Sequence, residues 1–502
     1  MNILYDRLVE NSLRFPQRDA VVTEQERVSY QELLAETDRL SGELSRLGVG
    51  EGSIVSILLR NSIFMVKCFF AVWKLGAIAA PINFRETDSG VSSLLSISKS
   101  NFTISDGERC ERLSALGTGS RNLYKEHLCA AVAAGKSQTV PAANISENAD
   151  ALYIFSSGTT GEPKIAVHTA RALMEFTNRC YEFGRLYYDD DVFLSYSPLC
   201  HVGGIRIMLG NLVCGATLVL AGSFDPNTVL SLISREKVTQ MFVIPPSLIM
   251  RLRDIAGEKK NGLDSLRQIR VSGGLCTAGA ADLMFDFFGE ITLVNGYGSS
   301  ESAVSLFNVF SREEYLADRK RITSVGRPLP GCSVVLRRGD GSVISEQDTV
   351  GEAYGKCDYM FDRYINRKGT VSHGEWFGTG DLFSIDAHGN YSFAGRTKDI
   401  IKTGGENVFA GEVEAVVAQH PAIAECAVFG LPHDTLGEAV AAAIVLKPGQ
   451  FCTGIDIVDY SRAHMASYKK PIRIFFVDEL PKTTSGKVRK YELQKLAAEG
   501  KL

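Results

Sequence analysis

Several features are missing from this 502-residue sequence, and each absence argues against a class of protein. The longest apolar stretches, 68–73 and 439–446, are too short to span a bilayer, and the first residues lack the pattern of a secretory signal. Lys and Arg (54) do not outnumber Asp and Glu (58), so the basic footprint of a nucleic-acid binder is absent. No two of the eleven cysteines stand at a CxxC spacing. We therefore expect a cytoplasmic protein with reduced thiols, no membrane span and no nucleic-acid partner.

Helical and strand patterns alternate along the first half of the chain, which predicts an α/β fold. Ser29 and Glu32 have the spacing of a capping box before an amphipathic stretch at 33–47. Glycines and turn signals then mark a small β-rich region at about 331–393. A new set of periodic elements begins near Gly395. We predict a large N-terminal domain (1–394) of mixed, largely parallel sheets and a small α+β C-terminal domain (395–502).

A run rich in glycine and hydroxyl groups follows a strand candidate at 151–155. It reads Ser156-Ser157-Gly158-Thr159-Thr160-Gly161-Glu162-Pro163-Lys164. Glycines let backbone N–H groups approach an anion, hydroxyls add donors, and the lysine supplies a compact positive charge for phosphate. The run is not a Walker loop, because no Gly-Lys-Ser/Thr closes it. Alone it is either a phosphate-binding loop or a surface loop.

Four further motifs follow in order. They read Asn295-Gly296-Tyr297-Gly298-Ser299-Ser300-Glu301, Trp376-Phe377-Gly378-Thr379-Gly380-Asp381, Gly395-Arg396-Thr397-Lys398-Asp399 continuing to Lys402, Gly404 and Gly405, and Pro481-Lys482-Thr483-Thr484-Ser485-Gly486-Lys487. With the run at 156–164, this set resembles the adenylate-forming superfamily of acyl-CoA synthetases, peptide-synthetase adenylation domains and luciferases. The resemblance covers nearly the whole chain and is closest in pattern to the acyl- and aryl-CoA ligases.

The resemblance implies ATP and Mg²⁺ as cofactors and gives residues of the first half-reaction their roles. The 156–164 loop would embrace the ATP phosphates, Ser300 would contact the α-phosphate, and Glu301 would bind Mg²⁺. The turn Ser272-Gly273-Gly274-Leu275 and Tyr297 would sandwich adenine, with Asn295, Gly296 and Gly298 beside them. Asp381 and Arg396 would hold the ribose, and Lys487 would bridge the carboxylate and the α-phosphate. Taken singly, Glu301 could instead cap a helix, Asp381 could close a turn, and Lys487 could be a solvated lysine.

The resemblance also implies a second half-reaction, in which the mobile C-terminal domain rotates and a thiol attacks the acyl-adenylate. Lys398 occupies the hinge position. Gly404 and Gly405 would line the tunnel for the pantetheine arm, where absent side chains allow close approach. Lys402 would belong to the thiol-transfer face. The thiol is that of CoA or of phosphopantetheine on a carrier protein, and the motifs do not separate these two acceptors.

The sequence says less about the identity of the carboxylic acid. By resemblance, His201 would gate the acyl pocket. Cys200 stands beside His201, but adjacent side chains do not face each other on a regular element, so a catalytic dyad is disfavoured. By the same resemblance, Gly203, Gly273, Gly274 and Gly296 would fall at or near positions that line the pocket, and their small size favours a bulky acyl or aryl acid. No residue matches the Asp that holds the ammonium group in amino-acid adenylation domains.

Arg206 stands among apolar residues, where a charge needs a partner. Two interpretations stay open, a structural ion pair and a contact to a second carboxylate or ketone of the substrate. The leading functional hypothesis is an acid:CoA ligase. A carrier-protein ligase is the alternative within the enzyme class, and a non-catalytic nucleotide-binding protein is the alternative outside it. The oligomeric state is not predicted.

Overall fold

A computed structural model describes residues 2–135, 138–157, 163–183, 186–244, 248–256, 262–273, 276–365, 375–482 and 488–502, with the side chains of 156, 157 and 320 left out. The first part of the chain alternates helices and strands. Its elements are α1 (Ile3–Arg14), β1 (Asp19–Val22), β2 (Arg27–Ser29), α2 (Tyr30–Arg46), β3 (Ile54–Leu58), α3 (Ile63–Lys74), β4 (Ile78–Pro81), α4 (Asp88–Ser98), β5 (Phe102–Ser105), α5 (Gly107–Ala115), β6 (Arg121–Tyr124), α6 (Lys125–Ala133), β7 (Asp150–Ser157) and β8 (Pro163–Thr169).

The middle of the chain continues the alternation and then becomes β-rich. Its elements are α7 (Ala170–Phe183), β9 (Val192–Ser195), α8 (Val202–Cys214), β10 (Thr217–Leu220), α9 (Pro226–Glu236), β11 (Gln240–Val243), α10 (Leu248–Ala256), β12 (Gln268–Val271), α11 (Ala278–Phe288), β13 (Thr292–Tyr297), β14 (Leu306–Ser311), α12 (Arg312–Ala317), β15 (Ser324–Pro328), β16 (Cys332–Arg337), β17 (Gly351–Cys357), β18 (Arg363–Tyr364), β19 (Phe377–Ile385) and β20 (Tyr391–Arg396).

The C-terminal part has its own sheet. Its elements are β21 (Ile400–Thr403), β22 (Glu406–Phe409), α13 (Ala410–Val417), β23 (Ile423–His433), β24 (Gly437–Leu446), α14 (Gly454–His464), β25 (Arg473–Phe476) and α15 (Lys490–Ala498). The five strands run β22-β21-β24-β23, with β25 added beside β24. A separate apolar cluster that includes Ile401, Val413, Val428 and Ile457 fills this unit.

Two larger sheets build the rest of the molecule. Among the described residues, one has thirteen strands in the order β16-β17-β19-β20-β15-β14-β13-β12-β11-β9-β10-β1-β2, and the other has seven in the order β18-β8-β7-β4-β3-β5-β6. The pairs from β1 through β10, β9, β11 and β12 to β13 are parallel, whereas those from β13 to β16 are antiparallel. The predicted mixed α/β class with a β-rich region and a small α+β unit is confirmed.

The local sequence explains why these elements form. At α2, Ser29 and Glu32 make the predicted capping box, which satisfies N–H groups at the helix start. Helix α3 is buried nearly all round, and the amino group of its buried Lys74 pairs with Asp38 at 2.8 Å. A further apolar cluster joins the two large sheets through Ala166 of β8 and Val294 of β13. The candidate site lies beside this junction, after the carboxyl ends of β12 and β13, where open α/β sheets commonly bind ligands.

Candidate active site

Tyr297, Asp381 and Arg396 form one hydrogen-bonded cluster. Tyr297 ends β13, while Asp381 and Arg396 face each other across β19 and β20. The Tyr297 hydroxyl donates to Oδ2 of the buried Asp381, and Arg396 Nε donates to Oδ1 at 2.9 Å. Burial, reinforced by the Asp381 charge, raises the pKa of Tyr297 well above its usual value, so the phenol stays protonated. Three predicted nucleotide-binding residues are thus brought together.

The Ser299–Ser302 turn places Ser300 and Glu301 close to this cluster. The Ser300 carbonyl accepts a 2.9 Å hydrogen bond from His168 Nε2, and the Glu301 carboxylate accepts one of 2.6 Å from the Tyr364 hydroxyl. Ser302 has a φ of 57°, a left-handed conformation that is uncommon for a residue other than glycine. Sequence reasoning missed His168 and Tyr364. The signal for His168 was its position four residues after Lys164, on the same face of one strand.

Lys164 lies on β8, where its backbone pairs with Ser156 of β7. Its ammonium group is 5.3 Å from the centre of the Tyr364 ring, so this lysine is on the same side of the sheet as Glu301. The backbones of Ser156 and Ser157 end β7. Gly158, Thr159, Thr160 and Gly161 lie outside the described residues, so the structure does not test the phosphate-loop prediction.

The turn after β12 contains the second predicted adenine contact. Gly273 has a φ of 72°, and a Cβ there would come within 2.4 Å of Ile244, so the position requires glycine. Gly274 and Leu275 lie outside the described residues. Gly296 packs against Phe307, and Gly298 is exposed with open space around it.

The structure shows structural hydrogen bonds for Asn295 and does not test its predicted contact with the nucleotide. Its buried amide donates to the carbonyls of Ile322 and Ser324 at 3.0 and 2.9 Å. Those two bonds tie the segment before β15 to the end of β13, which explains a polar residue in this apolar strand. Its described contacts are therefore structural.

His201 occupies the N-cap position of α8 without a side-chain capping bond, and Gly203 in the first turn is exposed with nothing within 4 Å of an added Cβ. Nearby, Asn61 holds the preceding segment by bonding Leu199 N and Ser197 O at 2.9 Å each. Burial raises the pKa of the Cys200 thiol to about 12. A neutral thiol is a poor nucleophile, which agrees with rejecting a Cys200–His201 dyad.

Arg206 does not form the ion pair that we considered, since no carboxylate pairs with it among the residues the structure describes. Its guanidinium lies 3.7 Å from the centre of the Phe176 ring, and Nη2 donates to the Tyr359 carbonyl at 3.1 Å. Burial lowers its pKa to about 10, so it remains charged at neutral pH. The ion-pair interpretation is wrong because ring stacking and a carbonyl replace the carboxylate.

The predicted thiol-face residues lie in the C-terminal unit. Lys398 is exposed in the short turn after β20. Lys402 is exposed on β21, where its backbone N–H donates to Glu438 at 2.7 Å. Gly404 and Gly405 form the exposed β21–β22 turn with φ values of 58° and 87°. Lys487 lies outside the described residues, between the bridged Lys482 and Val488.

The described residues fit a magnesium ion held together with nucleotide phosphates. They contain no cluster of three or more His, Cys, Asp or Glu side chains, so no all-protein metal cage is found in this part of the chain. Mg²⁺ usually binds through one or two carboxylates, waters and substrate phosphates. Glu301, partly exposed and fixed on one oxygen by Tyr364, is a suitable single carboxylate.

A hydrogen-bonded Tyr–Asp–Arg cluster after β13, a partly exposed carboxylate in the turn that follows and a C-terminal unit with its own sheet agree with the class of adenylate-forming enzymes. The AMP-binding enzyme family matches residues 8–365, and the AMP-binding enzyme C-terminal domain matches residues 412–487. The chain belongs to this family, which confirms the resemblance seen in the sequence. It is an AMP-forming acid–thiol ligase that uses ATP and Mg²⁺.

Similar proteins cover nearly the full length. The long-chain-fatty-acid–CoA ligase FadD13 of Mycobacterium tuberculosis is 29% identical over 481 residues, 93% of each chain. The structure of the anthranilate CoA ligase AuaEII with anthranoyl-AMP is 26% identical, with a TM-score of 0.88 over 99% of this chain and 98% of that one. O-succinylbenzoate CoA synthetase (MenE) from Bacillus subtilis, with ATP and magnesium, is 26% identical, with a TM-score of 0.82 over 97% and 98%.

No helix in the described part of the chain has both the length and the apolar composition that crossing a membrane requires.

Proposed function

We propose that this enzyme activates a bulky acyl or aryl carboxylic acid as its adenylate and transfers the acyl group to CoA. The observation that carries the proposal is the hydrogen-bonded cluster of Tyr297, Asp381 and Arg396 next to the Ser300–Glu301 turn. The names of two relatives give anthranilate and o-succinylbenzoate as the acids that those enzymes join to CoA. The exposed, open position of Gly203 beside His201 leaves volume for such an acid.

In the first half-reaction, Asp381 and Arg396 bind the ribose, and Tyr297 with the Gly273–Gly274–Leu275 turn encloses adenine. Each oxygen of Asp381 already accepts one protein hydrogen bond but retains a further lone pair for a ribose hydroxyl. Lys164 and the 156–164 loop hold the leaving pyrophosphate, and Ser300 contacts the α-phosphate.

A carboxylate that attacks a triphosphate brings like charges together, so positioned cations lower the barrier. Lys487 bridges the carboxylate and the α-phosphate in this proposal. Mg²⁺, when bound at Glu301, neutralises phosphate charge. His201 closes the acyl pocket and excludes water from the adenylate.

For the second half-reaction we divide the chain into domains 1–394 and 395–502, with the hinge at Lys398. The exposed Lys402, Gly404 and Gly405 form the face that meets the acyl-adenylate after rotation. Glycines there let the pantetheine arm pass close to the backbone. A lysine loop that serves adenylation and is then removed explains why the two chemistries need a mobile domain.

The thiol of a carrier protein remains the second candidate acceptor, because it presents the same pantetheine arm. Supplying free CoA or a holo-carrier to the preformed adenylate separates the two. We expect rapid thioester formation with CoA. Thioester formation with the holo-carrier alone would mean that the carrier protein, and not CoA, is the acceptor. We place the enzyme in the cytoplasm, since its eleven cysteines are all free thiols.

The first experiment is ATP–pyrophosphate exchange across a panel of aliphatic, aryl and keto acids. We expect exchange with at least one bulky acyl or aryl acid, and we expect that exchange to require Mg²⁺. Exchange only with small aliphatic or amino acids would contradict the acid class. Failure of every acid would favour a non-catalytic nucleotide-binding protein instead.

A further inference from the structure

One face of the β8–β18 strand pair points at the turn that follows β13. Lys164, Ala166 and His168 alternate along β8 and therefore share this face. Tyr364 of β18 lies opposite Ala166, so its side chain is on the same face, diagonal to Lys164 and His168. Ala166 is fully buried against Val294 and its neighbours, which brings the face close to the Ser300–Glu301 segment.

The Ser300–Glu301 segment depends on donors from this region. Among the described residues these two carbonyls lie outside the strand ladders, so they take hydrogen bonds from other donors. His168 Nε2 reaches the Ser300 carbonyl at 2.9 Å, and the Phe361 N–H donates to the Glu301 carbonyl at 2.9 Å. The Cys357 thiol donates to the Ser302 carbonyl at 3.2 Å. Ser302 is thus held locally by Ser299, which accepts from its N–H and hydroxyl, and from a distance in sequence by Cys357.

The protonation state of His168 suits this task. The ring is fully buried, and burial, reinforced by the Arg206 charge, lowers its pKa to about 3. The neutral ring has one N–H, and its bond to a carbonyl assigns that proton to Nε2. Nδ1 has no partner among the described residues, which agrees with this tautomer.

Tyr364 controls the side chain of Glu301. Its hydroxyl donates to Oε1 at 2.6 Å, a short, charge-assisted contact. The partly exposed carboxylate has no other hydrogen bond among the described residues, so Oε2 is left to face a ligand. A carboxylate without this bond would rotate freely about its last side-chain torsion.

We propose that Tyr364 and His168 are positioning residues of the metal and phosphate site. Tyr364 orients the Glu301 carboxylate toward the Mg²⁺ of the nucleotide, and His168 fixes the peptide that carries Ser300. This inference rests on the proposed function of Glu301 and Ser300. Groups that orient a metal ligand typically change metal affinity or activity by about 10–100-fold.

Tyr364→Phe tests the first part, because it removes only the hydroxyl and keeps the ring under Lys164. ATP binding is measured by calorimetry with and without Mg²⁺. We expect MgATP binding to weaken by about tenfold and Mg²⁺-free ATP binding to stay within about twofold. Tyr153→Phe is the matched control, since it deletes another phenol–carboxylate bond, to Asp150 at 3.1 Å, in the neighbouring strand.

Equal weakening with and without Mg²⁺, or no change in Tyr364→Phe, would overturn the role of Tyr364. A wild-type enzyme whose ATP binding does not respond to Mg²⁺ would instead count against the proposed function of Glu301. The two failures are therefore distinguishable.

The role of His168 is tested with His168→Leu, which removes the donor, and His168→Gln, which supplies an amide donor. We expect kcat for pyrophosphate exchange to fall by about tenfold in the leucine variant with little change in KM for the acid. Glutamine should restore most of that loss. Equal activity of the two variants, whether both reduced or both unchanged, would refute the positioning role.

Discussion

The residues proposed for the two half-reactions are held in place very differently in this molecule. On the nucleotide side, Tyr297, Asp381 and Arg396 interlock, and the Ser300–Glu301 turn receives donors from His168 and Tyr364. On the thiol side, the side chain of Lys402 and both glycines of the β21–β22 turn are exposed. The nucleotide-side residues are held by hydrogen bonds between two sheets, whereas the thiol-side residues lie on the surface.

The contrast agrees with the different demands of the two half-reactions. Adenylation needs charges placed before ATP arrives, because electrostatic stabilisation depends on donors that do not have to reorganise. The proposed thiol face has to leave and meet another surface, so it is kept open and held mainly by backbone conformation. Substitutions should therefore separate the two steps.

The largest expected effect is on adenylation alone. Lys487→Ala should lower the rate of pyrophosphate exchange by about 10²–10³-fold, because the charge between carboxylate and α-phosphate is lost. Thioester formation from a supplied acyl-adenylate should be largely spared. Single-turnover assays of each step measure this, and equal loss of both steps would contradict the divided role.

Asp381→Ala should have the next largest effect. It leaves the partly buried Tyr297 hydroxyl and Arg396 unpaired and removes the proposed ribose acceptor, so ATP affinity should fall by about 1–3 kcal/mol. Calorimetric titration with ATP measures the loss.

The control for Asp381 is Asp386→Ala in the same hairpin. Asp386 accepts from the N–H groups of His388 and Asn390 at 2.8 Å each and closes the β19–β20 turn. It should lower thermal stability without changing ATP affinity. Similar affinity losses in both variants would mean that Asp381 acts only through the fold.

A smaller effect should appear on the thiol side. Gly405→Ala places a Cβ in a left-handed turn at φ 87°, at a cost of about 1–2 kcal/mol, and narrows the proposed pantetheine path. We expect thioester formation to slow by about tenfold, which corresponds to 1.4 kcal/mol, with pyrophosphate exchange unchanged.

Gly389→Ala controls for backbone strain alone. Gly389 has a φ of 78° and, like Gly405, nothing within 4 Å of an added Cβ, but it lies in the β19–β20 turn. Equal slowing of the thiol step by both variants would remove the evidence for a path beside Gly405.

The last prediction concerns stability and pH and not the rate of either half-reaction. The pKa of His168 is lowered to about 3, below its unfolded value of about 6.5, so the unfolded chain binds a proton that the folded protein does not. This residue should therefore lower the free energy of unfolding as pH falls from about 6.5 toward 3, by at most about 1.4 kcal/mol per pH unit.

Thermal unfolding midpoints between pH 7 and pH 4 test this contribution. His168→Gln should show a shallower loss toward acid than the wild type, with no difference in slope above pH 7. An unchanged acid slope would show that His168 is not buried as a neutral ring.

Periodic patterns predicted most of the fold. The capping box at Ser29 and the alternation of helices and strands are confirmed, because capping and amphipathicity are local properties. The resemblance assigns Tyr297 to adenine and Asp381 and Arg396 to the ribose; the structure brings the three side chains together, and their binding roles stay a prediction. Arg206 was misread, since its sequence neighbours say that it is buried but not that Phe176 and the Tyr359 carbonyl surround it.

The family, the order of the motifs and the class of chemistry follow from the amino-acid sequence, because they depend on short runs of residue types. The side chains that support those motifs are found only in the folded arrangement. Tyr364 reaches Glu301 across 63 residues, and His168 reaches Ser300 across 132. Strand register and the packing of two sheets set those contacts, and neither leaves a periodic trace in a single chain.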